Sequence, residues 1–586
     1  MKRIVLLIFI FLGIIAFTPS LFAQKSLPLD YFRSPLDFKL LVTGTFGELR
    51  LNHFHSGVDF RTQEKEGMPV YAVADGIVVR IKVSPFGFGR ALYLDHPNGF
   101  TTVYGHLQKF NPELEKYIFK QQNRQESFEV DIFPKDSIKI KKGDIIAYSG
   151  NSGASFGPHL HFEVRSTKSE RPINPLLFNF PVKDTLPPFI NLFEAYPVGV
   201  KSVINDTNVP LRFAIAKDSL GIYHLKSNDT LRISGKAAFG LQAFDYFYNQ
   251  HDQNGYYSLS LYDDSTLKFR FAADSFAFDE SRYINACIDY KSYYLSGNRI
   301  LQSRLLPNNR FSLYNRDAGP GTIDFSDGKL HRIEMIVSDI AGNEAKLSVF
   351  AKGYIPARFP VPADSIKYDT TVNFSYMHPN TFRTPEITLE VPGDALYDSI
   401  TFGYSQSGRV RNSYSAIHML YDPLVPLQQR ITVSIKADSL PVRLRDKVLL
   451  VRIADGKRNP SGGSWKNGYV TGKTWYFGNY SVGIDTIPPK IKPLSQGNKP
   501  YSRKHHHHQP QPKGTKLSFN ITDNFSGIDS YRATINGKWA LMEYDAKNDL
   551  LNYSYDELLR PGKNSFRLTV TDEKGNKASY SKTITR

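Results

Sequence analysis

Short runs of alternating apolar and polar residues fill most of this chain, broken every few positions by Gly, Pro, Asn or Asp, and helical periodicity is scarce. Residues 70–74 and 77–81 are apolar runs on either side of Asp75-Gly76, which predicts a hairpin turning at Asp-Gly. Residues 91–96 and 100–104 flank Pro97-Asn98-Gly99 and predict a second hairpin. Residues 145–148 predict a further strand, reached through Lys141-Lys142-Gly143-Asp144. Residues 111–136 differ, being polar, charged and partly helical in composition, and are expected as an inserted surface excursion between two strands. After a turn at Phe156-Gly157-Pro158, residues 159–165 alternate. One strand would put His159, His161 and Glu163 on one face and Leu160, Phe162 and Val164 on the other.

The rest of the chain repeats itself. Asp184-Thr185-Leu186-Pro187-Pro188 returns as Asp485-Thr486-Ile487-Pro488-Pro489, a double-Pro lead into an edge strand. Ile336-Val337-Ser338-Asp339-Ile340-Ala341-Gly342-Asn343 matches Thr569-Val570-Thr571-Asp572-Glu573-Lys574-Gly575-Asn576, each a strand, a Gly-Asn turn and a closing strand. These paired signals predict an immunoglobulin-like sandwich over 483–586 and a longer immunoglobulin-like region over 184–355, either one sandwich with insertions or two small ones. Residues 356–482 lack the double-Pro lead but contain the apolar run Val448-Leu449-Leu450-Val451, so a β-sandwich with its own core is expected there. The aromatic residues around Trp465 and Trp475-Tyr476-Phe477 are expected in that core. The fold class is therefore all-β, with a first domain over 24–183 followed by several β-sandwiches.

Composition adds compartment and charge. The chain has 586 residues, 41% of them apolar, so several cores can form. Lys2-Arg3, the apolar stretch 4–17 and the small Ala23 predict a signal peptide over 1–23 and hence export to the periplasm, the outer envelope or the medium. No later stretch is apolar for long enough to span a bilayer. The formal charge of +17 suits an anionic envelope surface. Nucleic acid is not the expected partner, because zinc-finger and helix-turn-helix spacings are missing. Cys287 stands alone, which excludes an intrachain disulfide, and it is expected as a small buried residue.

Candidate chemistry sits on four short stretches of the first domain. In His55-Ser56-Gly57-Val58-Asp59 an imidazole and a carboxylate can converge on one cation across a Gly. Tyr104-Gly105-His106-Leu107 ends a strand, and His159 and His161 share a strand face. Two His and one Asp make a three-ligand zinc site with a position left for water, and the remaining two His are then placed to move protons. His53 competes with His55, which is preferred for the Gly and Asp that follow it. His96 is expected as a turn residue, and Glu163 as a supporting or solvated group.

Phe54-His55-Ser56-Gly57-Val58-Asp59-Phe60, Gly67-Met68-Pro69-Val70-Tyr71-Ala72, Ala74-Asp75-Gly76, Gly105-His106-Leu107 and Gly157-Pro158-His159-Leu160-His161-Phe162-Glu163 occur in this order. In motifs and spacing, residues 36–180 resemble the lysostaphin-type (LytM-like) zinc metallopeptidases, a family of peptidoglycan endopeptidases. The resemblance implies an antiparallel domain of the duplicated hybrid motif type, one Zn²⁺ held by His55, Asp59 and His161, and catalytic roles for His106 and His159. It also implies peptide stems of peptidoglycan as substrate, and the 111–136 insertion is the departure from the family pattern. The expected function is an exported zinc endopeptidase that cuts wall cross-links. The other readings are a non-enzymatic envelope protein that binds wall peptides or activates another hydrolase, and a secreted adhesin or scaffold. The tail is assigned to binding, spacing or positioning, with other envelope components as its partners. Ser502-Arg503-Lys504-His505-His506-His507-His508 is expected as a solvated basic loop.

Overall fold

The computed structural model describes residues 27–227, 229–247, 252–360, 366–494 and 516–586. The expected signal peptide and the 502–508 basic loop lie outside these residues. Among the described residues no helix is long and apolar enough to cross a membrane.

The first domain is antiparallel β throughout. Its strands are β1 (Val42–Gly44), β2 (Leu49–Arg50), β3 (His53–Phe54), β4 (Val58–Arg61), β5 (Pro69–Tyr71), β6 (Gly76–Val83), β7 (Arg90–Asp95) and β8 (Phe100–Gly105). Then come β9 (Lys109–Phe110), α1 (Pro112–Gln125), β10 (Val130–Ile132), β11 (Lys139–Ile140), β12 (Ile145–Tyr148) and β13 (His159–Ser166). A 9-stranded sheet runs β1-β4-β13-β8-β7-β6-β10, with β11 also on β6 and a short strand, Pro172–Ile173, on β13, and β5, β12 and β9 form a 3-stranded sheet against it. Phe60, Tyr104, Leu160 and Phe162 are buried between the layers. The hairpin at Pro97-Asn98-Gly99 forms as expected, pairing β7 with β8. The hairpin expected at Asp75-Gly76 does not form. Strand β5 pairs with β12 in the small sheet, whereas β6 pairs with β7, so the Asp-Gly step carries the chain from one layer to the other. Both flanking runs find better-placed partners elsewhere, which outweighs the local turn signal.

The 111–136 excursion is tied down on one face. Asn111 caps α1 through Leu114 N, and α1 buries Leu114, Ile118 and Gln122. Strand β10 then extends the main sheet along β6.

Beyond residue 183 the regular structure is again mainly strand, with short helices at Ile284–Cys287 and Tyr290–Ser296. One 11-stranded sheet extends from Phe189–Ile204 to Glu344–Gly353 around a single core, so the long first repeat is one unit rather than two small sandwiches. Cys287 is buried in that core, as expected, and its thiol is pushed up to about 12 by burial. The next region packs a 6-stranded against a 5-stranded sheet, with Val448 to Val451 fully buried, and the last packs two 4-stranded sheets. Phe477 is buried in the third core and Trp465 packs against it, whereas Trp475 lies beneath Arg282, whose guanidinium is 3.8 Å from the ring centroid.

The domains are not beads on a string. Phe46 and Phe54 of the first domain are fully buried in the core of the second. Tyr531, Leu541 and Tyr544 of the last domain pack on the core of the first, flanked by an Arg90–Glu543 pair at 3.0 Å and an Arg532–Glu126 pair at 2.6 Å.

Candidate metal centre

The strand register assembles the centre. Antiparallel pairing sets His161 on β13 opposite Asp59 on β4 and, on its other side, opposite Gly105 at the end of β8. His55 enters from the turn between β3 and β4, where Gly57 is required. A Cβ on residue 57 would lie 2.4 Å from Phe162 O and 2.9 Å from His161 Cε1.

Three atoms then meet. His55 Nε2 is 3.0 Å from His161 Nδ1 and 3.1 Å from Asp59 Oδ1, and His161 Nδ1 is 2.8 Å from Asp59 Oδ1. All three residues are buried. The outer nitrogens fix the tautomers. His55 Nδ1 donates to Thr45 O at 2.8 Å, and His161 Nε2 donates to Glu163 Oε1 at 3.1 Å. In the neutral rings the inner nitrogens therefore carry lone pairs, aimed with the carboxylate at one point. Imidazole nitrogen and carboxylate oxygen in that number are a zinc donor set, and His55, Asp59 and His161 fit the ion on those grounds.

Electrostatics agree. Burial, resisted by Asp59, lowers His55 to about 4, so it is neutral at pH 7. Burial opposes ionisation of Asp59, but His55 and His161 outweigh it and hold the carboxyl well below the usual range. Burial also opposes the charge on His161, yet Asp59 and Glu163 raise it to about 9. A site that draws positive charge onto a fully buried imidazole favours a cation.

The other two histidines stand alongside. His106 and His159 have ring centroids 4.8 Å apart, and His106 lies 5.8 Å from His161. His106 Nδ1 donates to Ser152 O at 2.8 Å and His159 Nδ1 to Gly157 O at 2.8 Å, which leaves both Nε2 atoms free. His159 Nε2 lies 3.5 Å from Asp59 Oδ1, and its side chain, 17% exposed, is the most accessible of the five. Burial, helped by the charges of His159 and His161, lowers His106 to about 3, and burial lowers His159 as well. His106 adopts φ 57°, a left-handed backbone that a non-glycine residue holds only when its surroundings enforce it. Its N–H, bonded to Phe88 O at 2.8 Å, is part of that enforcement.

The sequence-derived residues thus converge, and their rivals do not. His53 is exposed and its Nδ1 turns back to Leu51 O. His96 sits at the hairpin and is buried between Asp75 O and Thr102 Oγ1. Glu163 stands behind His161 rather than among the three converging atoms. It accepts from His161, from Ser56 Oγ at 2.5 Å and from Arg165 Nε at 2.6 Å. Burial resists its ionisation, but Arg165 and His161 hold it down to about 2.

Sequence reasoning missed Arg50, Thr45 and Phe88. Arg50 Nη2 binds Asp59 Oδ2 at 2.7 Å, turning Oδ1 toward the histidines. Phe88 stacks on His161 with centroids 4.7 Å apart. Arg50 lies on a two-residue strand, Thr45 acts through its backbone and Phe88 sits in a turn, so none carries a periodic signal.

An antiparallel β domain that aims two imidazoles and one carboxylate at a point, beside two further imidazoles, defines a metallopeptidase domain. Residues 53–123 and 130–175 match Peptidase family M23, and the first domain is a domain of that family. A metalloprotease of Haemophilus influenzae described as uncharacterized is 32% identical over 163 residues, covering 27% of this chain and 29% of that one. Peptidoglycan DD-endopeptidase ShyA of Vibrio cholerae is 30% identical over 168 residues, covering 28% and 33%. The chain therefore spans about a third or less of the length of these relatives. Among solved structures, a zinc containing peptidase from Vibrio cholerae is similar at 29% identity with TM-score 0.19, covering 25% of this chain and 39% of that one. The catalytic domain of lysostaphin from Staphylococcus simulans is 27% identical with TM-score 0.19, covering 24% and 92%. Residues 371–485, in the third region, match a Zu5-like domain.

Proposed function

We propose that the protein is an exported zinc metalloendopeptidase that hydrolyses peptide cross-links of peptidoglycan. The observation that carries the reading is the convergence of His55 Nε2, Asp59 Oδ1 and His161 Nδ1 within 3.1 Å of one another, beside two histidines with free Nε2 atoms. The family match and the Vibrio cholerae relative, a peptidoglycan DD-endopeptidase by name, support the substrate class. The apolar N-terminal stretch behind Lys2-Arg3 supports export.

A zinc ion held by His55, Asp59 and His161 would polarise the scissile carbonyl and make water nucleophilic near neutral pH. The remaining work falls to side chains. His106 and His159 each keep Nδ1–H on a backbone carbonyl, so Nε2 is the atom that takes a proton from the attacking water. Once charged, the same imidazoles stabilise the oxyanion and hand the proton to the leaving amine. Glu163, Thr45 O and Arg50 hold the ligands in register and keep Asp59 ionised. Purified, zinc-loaded protein incubated with sacculi should release new free amino groups, and chelated protein should not. Zinc-loaded protein that releases none from sacculi of several cross-link types would sink this reading.

A further inference from the structure

The two double-Pro repeats bring together more than strands. Each contributes one Asp to a cluster whose other members come from strand ends and loops distant in the chain. Asp184, Asp245 and Asp339 each place a carboxylate oxygen within 4.8 Å of the other two, and so do Asp485, Asp523 and Asp572. The third members are also alike in sequence, Asp245-Tyr246-Phe247 and Asp523-Asn524-Phe525.

The local bonding repeats as well. Asp184 Oδ1 accepts from Leu186 N at 3.2 Å, and Asp485 Oδ1 accepts from Ile487 N at 3.1 Å. Asp339 accepts from Asn343 N at 2.9 Å and Nδ2 at 2.7 Å, and Asp572 accepts from Asn576 N at 2.8 Å and Nδ2 at 2.7 Å. Asp523 Oδ2 accepts from Phe525 N at 2.8 Å and Gly527 N at 3.0 Å.

Each cluster holds buried carboxylate oxygen without a hydrogen-bond partner, two atoms in the first and one in the second. Asp245 is 1% exposed and its Oδ1 has no hydrogen-bond partner, nor has buried Asp184 Oδ2. In the second cluster Asp523 is half-buried, and its Oδ1, itself shielded from solvent, is the unpartnered atom. Burial and then the charges of Asp184 and Asp339 push Asp245 up to about 8, and burial pushes Asp184 up to about 6. Buried carboxylate oxygens that lack a donor and face further carboxylates are unfavourable unless a cation joins them. The third acidic group of the tail shows the contrast. There Asp263 and Asp327 are satisfied by His331, at 2.8 and 3.1 Å, and the group is an ion-pair network.

We propose that Asp184, Asp245 and Asp339 form one divalent-cation site and Asp485, Asp523 and Asp572 a second, and that both take Ca²⁺. The donors are oxygen only, which suits a hard cation and disfavours zinc. Three carboxylates in one set exceed what Mg²⁺ sites ordinarily use, whereas Ca²⁺ completes its shell with carbonyls and water. Each site staples a domain junction. Asp184 follows the first domain, and Asp485 follows the third, where its N donates to Lys447 O at 2.8 Å and its O accepts from Asn576 Nδ2 at 3.1 Å. Ca²⁺ would join the linker to two segments far along the chain and stiffen the link between the metallopeptidase domain and the tail.

The test is Ca²⁺ titration of the full chain after dialysis against EGTA, with Mg²⁺ present, by calorimetry and thermal melting. Wild type should bind two Ca²⁺ at or below about 10⁻³ M, the range of extracellular modules, and melt at higher temperature with Ca²⁺. Asp245→Asn and Asp523→Asn should each lose one Ca²⁺, the double variant both, with zinc content unchanged. In EGTA, Asp245→Asn should be at least as stable as wild type, since it removes a buried carboxyl that faces two others and, without a cation, must be neutralised by a proton. No Ca²⁺ binding by wild type at about 10 mM, tenfold above that range, overturns the proposal even if the variants fail to fold. So does Ca²⁺ binding that the substitutions leave unchanged, or an Asp245→Asn protein less stable than wild type in EGTA.

Discussion

Phe54 stacks face to face on Phe311, with ring centroids 4.4 Å apart and planes within 10°, although 257 positions separate them in the chain. Phe54 immediately precedes His55, so the turn that carries this member of the candidate metal centre is clamped by the core of the second domain. Phe54 N bonds to Ser281 Oγ at 2.9 Å, and Asn285 Nδ2 to Asn52 Oδ1 at 3.1 Å, both on the segment that leads into the same turn. The second domain is part of the frame of the site.

Phe311→Ala should therefore do two things. Losing a buried ring should cost about 3–5 kcal/mol of stability, and turnover should fall although every metal-centre residue is retained. Calorimetric melting and sacculus digestion measure the two effects. A fragment ending near residue 183 exposes Phe46 and Phe54 and should aggregate where the full chain stays soluble.

Glu163→Gln keeps an acceptor for His161 Nε2 but removes the charge that holds it and leaves Arg165 without its buried partner. Zinc affinity should fall by about 10–100-fold, as measured by competition with a chromogenic chelator.

The Zu5-like region carries its own acid sensitivity. His418 is 1% exposed, its Nδ1 lies 2.9 Å from Tyr404 Oη, and burial lowers it to about 4. The native protein refuses a proton that the unfolded chain accepts below about pH 6.5. Stability from this group is thus complete above about pH 6.5 and is lost as pH falls toward 4, by up to about 3 kcal/mol at 1.36 kcal/mol per unit. Urea unfolding between pH 4 and 7 should show this slope in wild type and a flatter one in His418→Gln.

The proposed ligand set came from the family resemblance, and the convergence of His55, Asp59 and His161 agrees with local rules. Alternation on one strand separates His161 from Leu160, and the Gly in the His55–Asp59 turn permits their approach. The buttress was illegible because a Phe54–Phe311 stack has no local signal, and both residues read simply as core. Asp75-Gly76 misled for a related reason, since its turn chemistry is real but its flanking strands belong to different sheets. The Asp184 and Asp485 repeats were visible as punctuation, while the convergence of Asp245 and Asp523 upon them required the fold.

The division of labour among the histidines is tested most directly by bound zinc and sacculus digestion measured together on wild type, His161→Ala and His106→Ala. His161→Ala should lose both zinc and activity. His106→Ala should keep wild-type zinc and lose turnover by about 10²-fold or more. Full zinc in His161→Ala, or zinc lost in step with activity in His106→Ala, would contradict the assignment.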